Sequence, residues 1–189
     1  MLDPWASRST GRGMTTEQAF VNDVYLSLGS NIEPEFHLPQ AVAELKQFGQ
    51  IKAVSSVWQS SAIGTSGQPD FLNAALLLET SLSAMELRQK AIAQIENSLG
   101  RVRTEDKNAP RTIDIDIVLF NHDILDFGRR RIPDSELLNH AYVAIPMAEV
   151  APDYHHPEVN ITLKEIASRF DLKKETFFRR DDVELLEMS

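Results

Sequence analysis

The chain contains 189 residues, of which 42% are hydrophobic and 25% charged, and it carries a formal net charge of −9 at pH 7. This composition is typical of one globular domain with its own core, and the negative charge argues against a protein that binds nucleic acid through a broad basic surface. The sequence has no cysteine and no apolar run long enough to span a membrane, which excludes disulfides, thiolate metal sites and a membrane partner and fits a cytoplasmic protein.

The hydrophobic pattern predicts one domain, residues 21–172, between a disordered leader, residues 1–20, and a mobile acidic tail, residues 173–189. Alternation and helical spacing predict the elements in this order: strand 23–28, helix 34–48, strand 51–58, strand 71–80, a helix from Ser83 to Gly100 and strand 110–120. A largely helical segment, 135–150, and a short helix that ends at 170 follow. The order β-α-β-β-α-β is that of a ferredoxin-like α+β fold, an antiparallel sheet with helices packed on one face.

The strand at 110–120 is unusual because it carries two acids in a run of strong strand formers. Asp114 and Asp116 are two residues apart, so their side chains fall on one face of the strand together with Val118. The opposite face is apolar and consists of Ile113, Ile115, Ile117 and Leu119. Two neighbouring carboxylates repel each other and a divalent cation reverses that repulsion, so the pair predicts a metal site that suits Mg²⁺.

Basic residues surround this acidic pair. Residues 101–131 contain seven Lys or Arg and six Asp or Glu, whereas the rest of the chain contains 12 basic and 22 acidic residues. Carboxylates for a metal and guanidiniums for phosphate oxygens are the groups that a metal–polyphosphate site requires. Neither Gly-x-x-x-x-Gly-Lys-Ser/Thr nor Gly-x-Gly-x-x-Gly occurs, so side chains and metal, rather than a glycine-rich loop, must hold the phosphates of any bound nucleotide.

Five motifs carry a resemblance to a known family. They are Tyr25-Leu26-Ser27-Leu28-Gly29-Ser30-Asn31, Gln68-Pro69-Asp70-Phe71-Leu72-Asn73-Ala74-Ala75, Gly100-Arg101-Val102-Arg103, Pro110-Arg111-Thr112-Ile113-Asp114-Ile115-Asp116 and Pro146-Met147-Ala148-Glu149-Val150-Ala151-Pro152. From about residue 24 to 157 the chain resembles the 6-hydroxymethyl-7,8-dihydropterin pyrophosphokinases of folate biosynthesis. These transferases move the pyrophosphoryl group of ATP to the hydroxymethyl group of the pterin, giving AMP and the pterin diphosphate.

The resemblance implies roles for individual residues. Asp114 and Asp116 would hold two Mg²⁺ ions that bridge the phosphates of the co-substrate ATP, while arginines bind phosphate oxygens and the loop 101–110 closes as a lid. The implied catalytic residues are Arg101, Arg103, Arg111, Asp114 and Asp116. The implied pterin-binding residues are Ser60, Ser61, Ile63, Phe71, Asn73 and Tyr142. The implied ATP-binding residues are Glu96, Arg101, Arg103, Arg111, Ile117, Arg129, Arg131 and Asp134. ATP and a reduced pterin are the expected ligands, and other folate-pathway enzymes are candidate partners.

Four departures from the family pattern leave alternatives open. The chain has Ser61-Ala62 in place of the usual Pro-Pro pair, Asn108 in place of a lid aromatic residue, Asp134 in place of His, and His140 near the place of an Arg. One alternative is a divergent relative that acts on another reduced pterin, and a second is a non-catalytic protein that binds a pterin or a nucleotide. An RNA-binding ferredoxin-like module is disfavoured, because exposed aromatic residues and a positive net charge are both lacking.

Overall fold

A computed structural model of the chain describes residues 21–62, 67–102, 109–128, 130–172 and 177–186. The strands within these residues are β1 (Asn22–Ser30), β2 (Gln50–Val54), β3 (Val57–Ser60), β4 (Phe71–Thr80), β5 (Asp114–Phe120), β6 (Leu125–Asp126), β7 (Arg131–Ile132) and β8 (Phe177–Arg180). One antiparallel sheet has the order β5-β1-β4-β3-β8, with β2 paired to the other half of β4, and β6 pairs with β7 separately. The predicted α+β fold with an antiparallel sheet is confirmed.

The helices in the same residues are α1 (Pro34–Leu45), α2 (Ala84–Glu86), α3 (Ala93–Ser98), α4 (Glu136–Asn139), α5 (Ala141–Val150) and α6 (Leu163–Ala167), and a π-helical segment (Leu87–Ile92) joins α2 to α3. Capping boxes begin α2 at Ser83 and α6 at Thr162. The predicted helical segment 135–150 is divided at His140, whose backbone is extended. No helix among the described residues is long and apolar enough to cross a membrane.

Two apolar layers cover the sheet, one on each face. α1 and the helical run from α2 to α3 pack on the face that carries Leu26 and Ile115. α4, α5 and α6 pack on the face that carries Tyr25 and Leu119. Helices therefore cover both faces, and not one face alone as the element order suggested, because the segment after β5 folds back over the second face.

A β-bulge interrupts the alternation of β5. The register with β1 pairs Gly29 with Asp114 and Leu26 with Ile117, but Tyr25 pairs with Leu119, so Val118 is an inserted residue. Leu119 consequently turns to the face that α4–α6 cover, whereas Ile113, Ile115 and Ile117 face α1. The prediction that Leu119 shares a face with Ile113, Ile115 and Ile117 is wrong, because alternation does not survive an inserted residue.

The predicted strand 51–58 is two strands, β2 and β3, separated at Ser55. The Ser55 hydroxyl accepts a hydrogen bond from the Ala75 amide (2.8 Å), and the Ser55 amide donates to the Ala75 carbonyl (2.9 Å), so a side chain replaces one backbone acceptor of the ladder. β3 then continues along β4 as far as Ser60, where β8 pairs with its other side. No strand was predicted at 177–180, because that stretch was assigned to the acidic tail.

The face under α5 changes character along the sheet. One end is apolar, and at the other end β1, β4 and β5 present Ser27, Asn73 and the two aspartates. Because β5 is antiparallel to β1, the start of β5 meets the end of β1, and the register places Gly29 opposite Asp114 and Ser27 opposite Asp116. The strand pairing thus brings the polar residues of three strands to one end of one face.

Candidate active site

A cavity of about 350 Å³, called here the sheet cavity, opens at this polar end. Four strands supply its floor, and the loop after β3 and the helices α4 and α5 supply its walls; its lining is Ser27, Gly29, Ser60, Ser61, Ala62, Gln68, Phe71, Asn73, Arg111, Asp114, Asp116, Glu136 and Tyr142. Gly29 keeps the floor open, since a Cβ there would lie 3.6 Å from Asn73 Oδ1 and 3.9 Å from Phe71 Cδ1. Five of the six predicted pterin-binding residues lie in this lining.

A second space of about 810 Å³, the basic cleft, adjoins the sheet cavity. Its lining includes four arginines: Arg101, Arg111, Arg130 and Arg131. Four residues line both spaces: Arg111, Asp114, Asp116 and Glu136. The first three were predicted as catalytic residues, and the structure places them where the two spaces meet. We call this place the junction.

A third space of about 310 Å³, the apolar pocket, continues from the basic cleft beneath β7. Met85, Ile117, Phe127 and Ile132 give it an apolar lining, and Arg130, Arg131 and Asp134 line both the pocket and the cleft. Three of the predicted ATP-binding residues, Ile117, Arg131 and Asp134, are therefore brought together here. The pocket has room for an apolar group whose charged portion lies in the cleft.

Asp114 is held by two guanidiniums. Its carboxylate oxygens accept hydrogen bonds from Arg101 and from Arg111, and Arg101 also donates to the carbonyl of Ile113 (2.7 Å) and to Glu96 (3.0 Å). Burial raises the pKa of the Asp114 carboxyl, but hydrogen bonds and positive charge from the two arginines outweigh burial and leave the pKa below its ordinary value. Asp114 is therefore an anion in this site.

Asp116 has a different environment. Burial and the negative charge of Asp114 raise the pKa of the Asp116 carboxyl, although the hydrogen bond and charge of Arg130 oppose that rise. Arg130 is 42% exposed, so its compensation is weakened by solvent. The pKa of Asp114 is thus lowered and the pKa of Asp116 is raised. A further cation close to Asp116 would stabilise the ionised form of its carboxyl group.

The predicted pterin-binding residues form two groups. The Asn73 side-chain amide, only 5% exposed, donates to the Ser60 hydroxyl (2.9 Å) and to the Trp58 carbonyl (3.3 Å). Phe71 lies under the Arg111 guanidinium, 5.7 Å from the ring centroid. Across the cavity Tyr142 stacks on His140, with centroids 4.9 Å apart, and donates its hydroxyl hydrogen to Glu136 (3.2 Å). The cavity therefore combines aromatic rings with a fixed amide.

Glu96 lies behind this site rather than within it. Its carboxylate is 4% exposed and accepts hydrogen bonds from Arg101 (3.0 Å) and from the Ile115 amide (3.3 Å). The geometry supports a role in holding Arg101 against β5, and the predicted contact of Glu96 with ATP stays a prediction. Ile63, Arg103 and Arg129, the lid residue Asn108, the leader and residues 173–176 lie outside the described residues.

Two residues at the site have roles that the sequence did not indicate. Asn31, 2% exposed, accepts a hydrogen bond from the Arg111 amide (2.7 Å) and donates to the Pro69 carbonyl (3.3 Å), which ties β5 to the loop after β3. Glu136 lies at the junction and holds Tyr142. Burial, together with the charges of Asp134 and Asp116, raises the pKa of the Glu136 carboxyl. The polar turn Gly29-Ser30-Asn31 was a sequence signal for the role of Asn31. No sequence signal marked Glu136, because a single Glu in a helix is common.

The donor set suits Mg²⁺ that arrives with a phosphate ligand. Among the described residues no three His, Asp or Glu side chains cluster closely enough to hold a metal by themselves. Mg²⁺ in nucleotide sites is commonly held by one or two carboxylates and completes its octahedron with phosphate oxygens and water. The Asp114–Asp116 pair beside an arginine-rich cleft has the chemical groups that such a partial site requires.

Comparison with known proteins identifies the family to which the sequence is similar. The family model described as 7,8-dihydro-6-hydroxymethylpterin-pyrophosphokinase matches residues 25–152. The 2-amino-4-hydroxy-6-hydroxymethyldihydropteridine pyrophosphokinase of Bacillus subtilis is 39% identical over 132 residues, which are 68% of this chain and 78% of that protein. The protein of the same name from Pseudomonas aeruginosa is 35% identical over 141 residues, 73% of this chain and 86% of that protein.

Solved structures share the fold. The crystal structure of wild-type Plasmodium falciparum HPPK-DHPS superposes with a TM-score of 0.62 at 13% identity and covers 82% of this chain. This chain spans 45% of that longer protein, less than half of its length. At so low an identity the likeness concerns the fold alone, and it agrees with the antiparallel sheet covered by helices described above.

Proposed function

Because the chain belongs to the 7,8-dihydro-6-hydroxymethylpterin-pyrophosphokinase family, and so transfers pyrophosphate from ATP to the hydroxymethyl group of the dihydropterin, we propose that the transfer takes place at the junction. The observation that carries this proposal is that Arg111, Asp114, Asp116 and Glu136 line both the sheet cavity and the basic cleft. A pterin in the cavity and a polyphosphate in the cleft would meet at the same two carboxylates. Proximity of this kind removes most of the entropic cost of bringing two substrates together.

We assign the pterin to the sheet cavity. Phe71 and Tyr142 offer ring faces for stacking, and the buried amide of Asn73, with the nearby Ser60 and Ser61, offers hydrogen-bonding groups for the polar edge of the pterin. The Asn73 amide is already oriented by Ser60 and by the Trp58 carbonyl, so little side-chain entropy is lost on binding. Ile63 belongs to this set on the strength of the family resemblance.

We assign the ATP phosphates to the basic cleft and the adenine base to the apolar pocket. Arg101, Arg111, Arg130 and Arg131 provide the positive charge that a triphosphate needs, and Ile117, Phe127 and Ile132 provide apolar contact for the base. Asp134 lies between pocket and cleft. Arg103 and Arg129 complete this proposed set through the resemblance.

Asp114 and Asp116 would hold two Mg²⁺ ions together with phosphate oxygens. Mg²⁺ bound there would neutralise phosphate charge and lower the pKa of the attacking hydroxyl group. The arginines that now hold the carboxylates can then turn to the phosphates, for which guanidiniums have equally good bidentate geometry. Arg101 and Arg111, fixed near Asp114, would stabilise the charge on the transferred group.

Steady-state kinetics on two variants test the assignment of the two substrates. Phe71→Ala should raise the KM for the pterin and leave the KM for ATP unchanged, and Phe127→Ala should do the reverse, because each side chain lines one space. AMP formation that requires both the pterin and Mg²⁺ is expected of the wild-type protein. ADP as the product, or the same KM change in both variants, would refute the proposal.

The proposed surroundings of the enzyme follow from its substrates. A cytoplasmic location fits a chain without cysteine. An enzyme of folate synthesis that consumes the pterin diphosphate is the proposed partner. Pull-down of such an enzyme by the purified chain, with the product present, checks this, and independent behaviour of the two proteins would contradict it.

A further inference from the structure

The strand β8 lies beyond residues 25–152, the part that the family model matches, yet it pairs with the strand that leads into the pterin site. The register places Phe177 opposite Ser60 and Arg179 opposite Trp58. We propose that β8 positions the pterin-binding edge of the sheet cavity, through Phe177 on one face and Arg180 on the other. This inference rests on the proposed assignment of the pterin to that cavity.

Phe177 fixes one face of β3. Its ring is 6% exposed and stacks on Trp58, with centroids 4.9 Å apart and planes 3° from parallel. Trp58 also donates its indole hydrogen to Glu149 of α5 (3.1 Å), and the second oxygen of Glu149 accepts from the Ser56 amide (2.7 Å). Trp58 is thus held between α5 and β8. Its carbonyl and the Ser60 hydroxyl are the two acceptors of the Asn73 amide, so the position of β3 sets the orientation of that amide.

Arg180 fixes the other face of β3. Its guanidinium donates to Gln59 Oε1 (2.8 Å) and to Glu35 of α1 (3.2 Å). The Gln59 amide in turn donates to Asp70 (2.8 Å), the residue directly before Phe71. Gln59 lies one residue before the end of β3 and Asp70 lies directly before β4, so the two residues stand on either side of the loop that joins these strands. A continuous set of hydrogen bonds therefore runs from α1 through Arg180 to both ends of the loop that walls the sheet cavity.

The same strand supplies matched controls. Phe178 is 49% exposed and alternates with Phe177, and Arg179 pairs with its neighbour Asp181. Replacing Phe178 or Arg179 therefore changes the strand's composition as much as replacing Phe177 or Arg180 does, while the contacts with Trp58 and Gln59 remain. Neither control residue belongs to the binding or catalytic residues assigned above.

The experiment compares Phe177→Ala and Arg180→Gln with Phe178→Ala and Arg179→Gln in the full chain. The dissociation constant of the pterin, measured by calorimetry, and its KM should rise roughly three- to tenfold in the first pair, a change in keeping with the loss of one aromatic pair or one charged hydrogen bond. The KM for ATP and kcat should stay within about twofold of wild type. Both controls should match wild type, and Phe177→Tyr, which keeps the stacked ring, should restore pterin affinity.

Three results would overturn the inference: unchanged pterin affinity in both variants, an equal change in the controls, or an equal rise in the KM for ATP. Phe177→Leu, which keeps an apolar side chain in place without the ring, gives the comparison if Phe177→Ala does not fold. Wild-type AMP formation reports separately on the proposed function. Weakened pterin binding in the variants with no AMP from wild type would refute the function alone, and normal turnover with unaffected variants would refute the role of β8 alone.

Discussion

The two aspartates of β5 should respond in opposite ways to removal of their charge. In Asp114→Asn, Arg101 and Arg111 each lose a carboxylate in a site where their side chains are 10% and 19% exposed. A buried polar group that loses its partner costs about 1–3 kcal/mol, and a charged group costs more, but Arg101 keeps Glu96 and the Ile113 carbonyl. We therefore expect Asp114→Asn to lower the free energy of unfolding by about 1–3 kcal/mol.

Asp116→Asn should leave stability unchanged or raise it. Burial and Asp114 raise the pKa of the Asp116 carboxyl, so its ionised form is less favourable in the folded than in the unfolded protein. Stability linked to this group is present at low pH and is lost as pH rises through the raised pKa, and an amide removes that loss. The contact with Arg130 disappears, but its two side chains are 42% and 32% exposed, so the contact is worth about 0–1 kcal/mol.

Thermal unfolding at about pH 7 without nucleotide or metal measures the difference. For a chain of this length each kcal/mol shifts the midpoint by about 2–4 °C, so Asp114→Asn should melt several degrees below Asp116→Asn. Both variants should lose turnover by on the order of a hundredfold or more, because each removes a proposed metal ligand. Equal destabilisation by the two substitutions would refute the unequal environments inferred here.

Three further substitutions test other parts of the site. Gly29→Val should raise the KM for the pterin by at least about tenfold with an unchanged KM for ATP, because its methyl groups fill the floor beside Asn73 and Phe71; kinetics in which both KM values change, or neither does, would contradict this. Arg111→Lys should lower kcat by roughly tenfold or more, since an ammonium lacks the planar fork that faces Asp114; a loss below about twofold would count against the assignment. Burial lowers the pKa of His156 below 6.5, so the stability that neutral His156 contributes is present above that pH and falls as the pH drops towards the lowered pKa. His156→Gln should therefore reduce the fall in melting temperature between about pH 7.5 and 5.5, and a fall equal to that of the wild-type protein would be the contrary result.

Much of the sheet could be predicted because its strands follow local rules. Alternation located β1 and β5, a run of apolar residues located β4, and the two acids stood out because Asp is rare in strands. The bulge at Val118 and the division at Ser55 could not be predicted in this way. The first is a change of register with β1, and the second depends on a serine hydroxyl that takes the place of a backbone acceptor. Neither feature can be recognised from the spacing of the hydrophobic residues.

Site residues that belong to a sequence motif could be predicted, whereas residues that reach the site only through tertiary contacts could not. Asp114 and Arg111 lie three residues apart, so their contact is local. Glu136 reaches the junction only because the segment after β5 folds over the second face of the sheet. The contacts of the Glu96 carboxylate with Arg101 and with the Ile115 amide also depend on the tertiary fold, and the predicted contact of Glu96 with ATP stays a prediction. The strand Phe177–Arg180 forms by pairing with β3, which no local pattern of four residues can reveal.

The measurement that tests the junction most directly is the fate of ATP labelled at its β-phosphorus, incubated with Mg²⁺ and hydroxymethyl-dihydropterin. Wild-type protein should transfer the label to the pterin and release one AMP for each pterin diphosphate formed. Asp116→Asn should still bind the pterin in the sheet cavity, by calorimetry, but should transfer label slower than wild type by on the order of a hundredfold or more. Transfer by Asp116→Asn at the wild-type rate, or label that remains on ADP, would contradict the account.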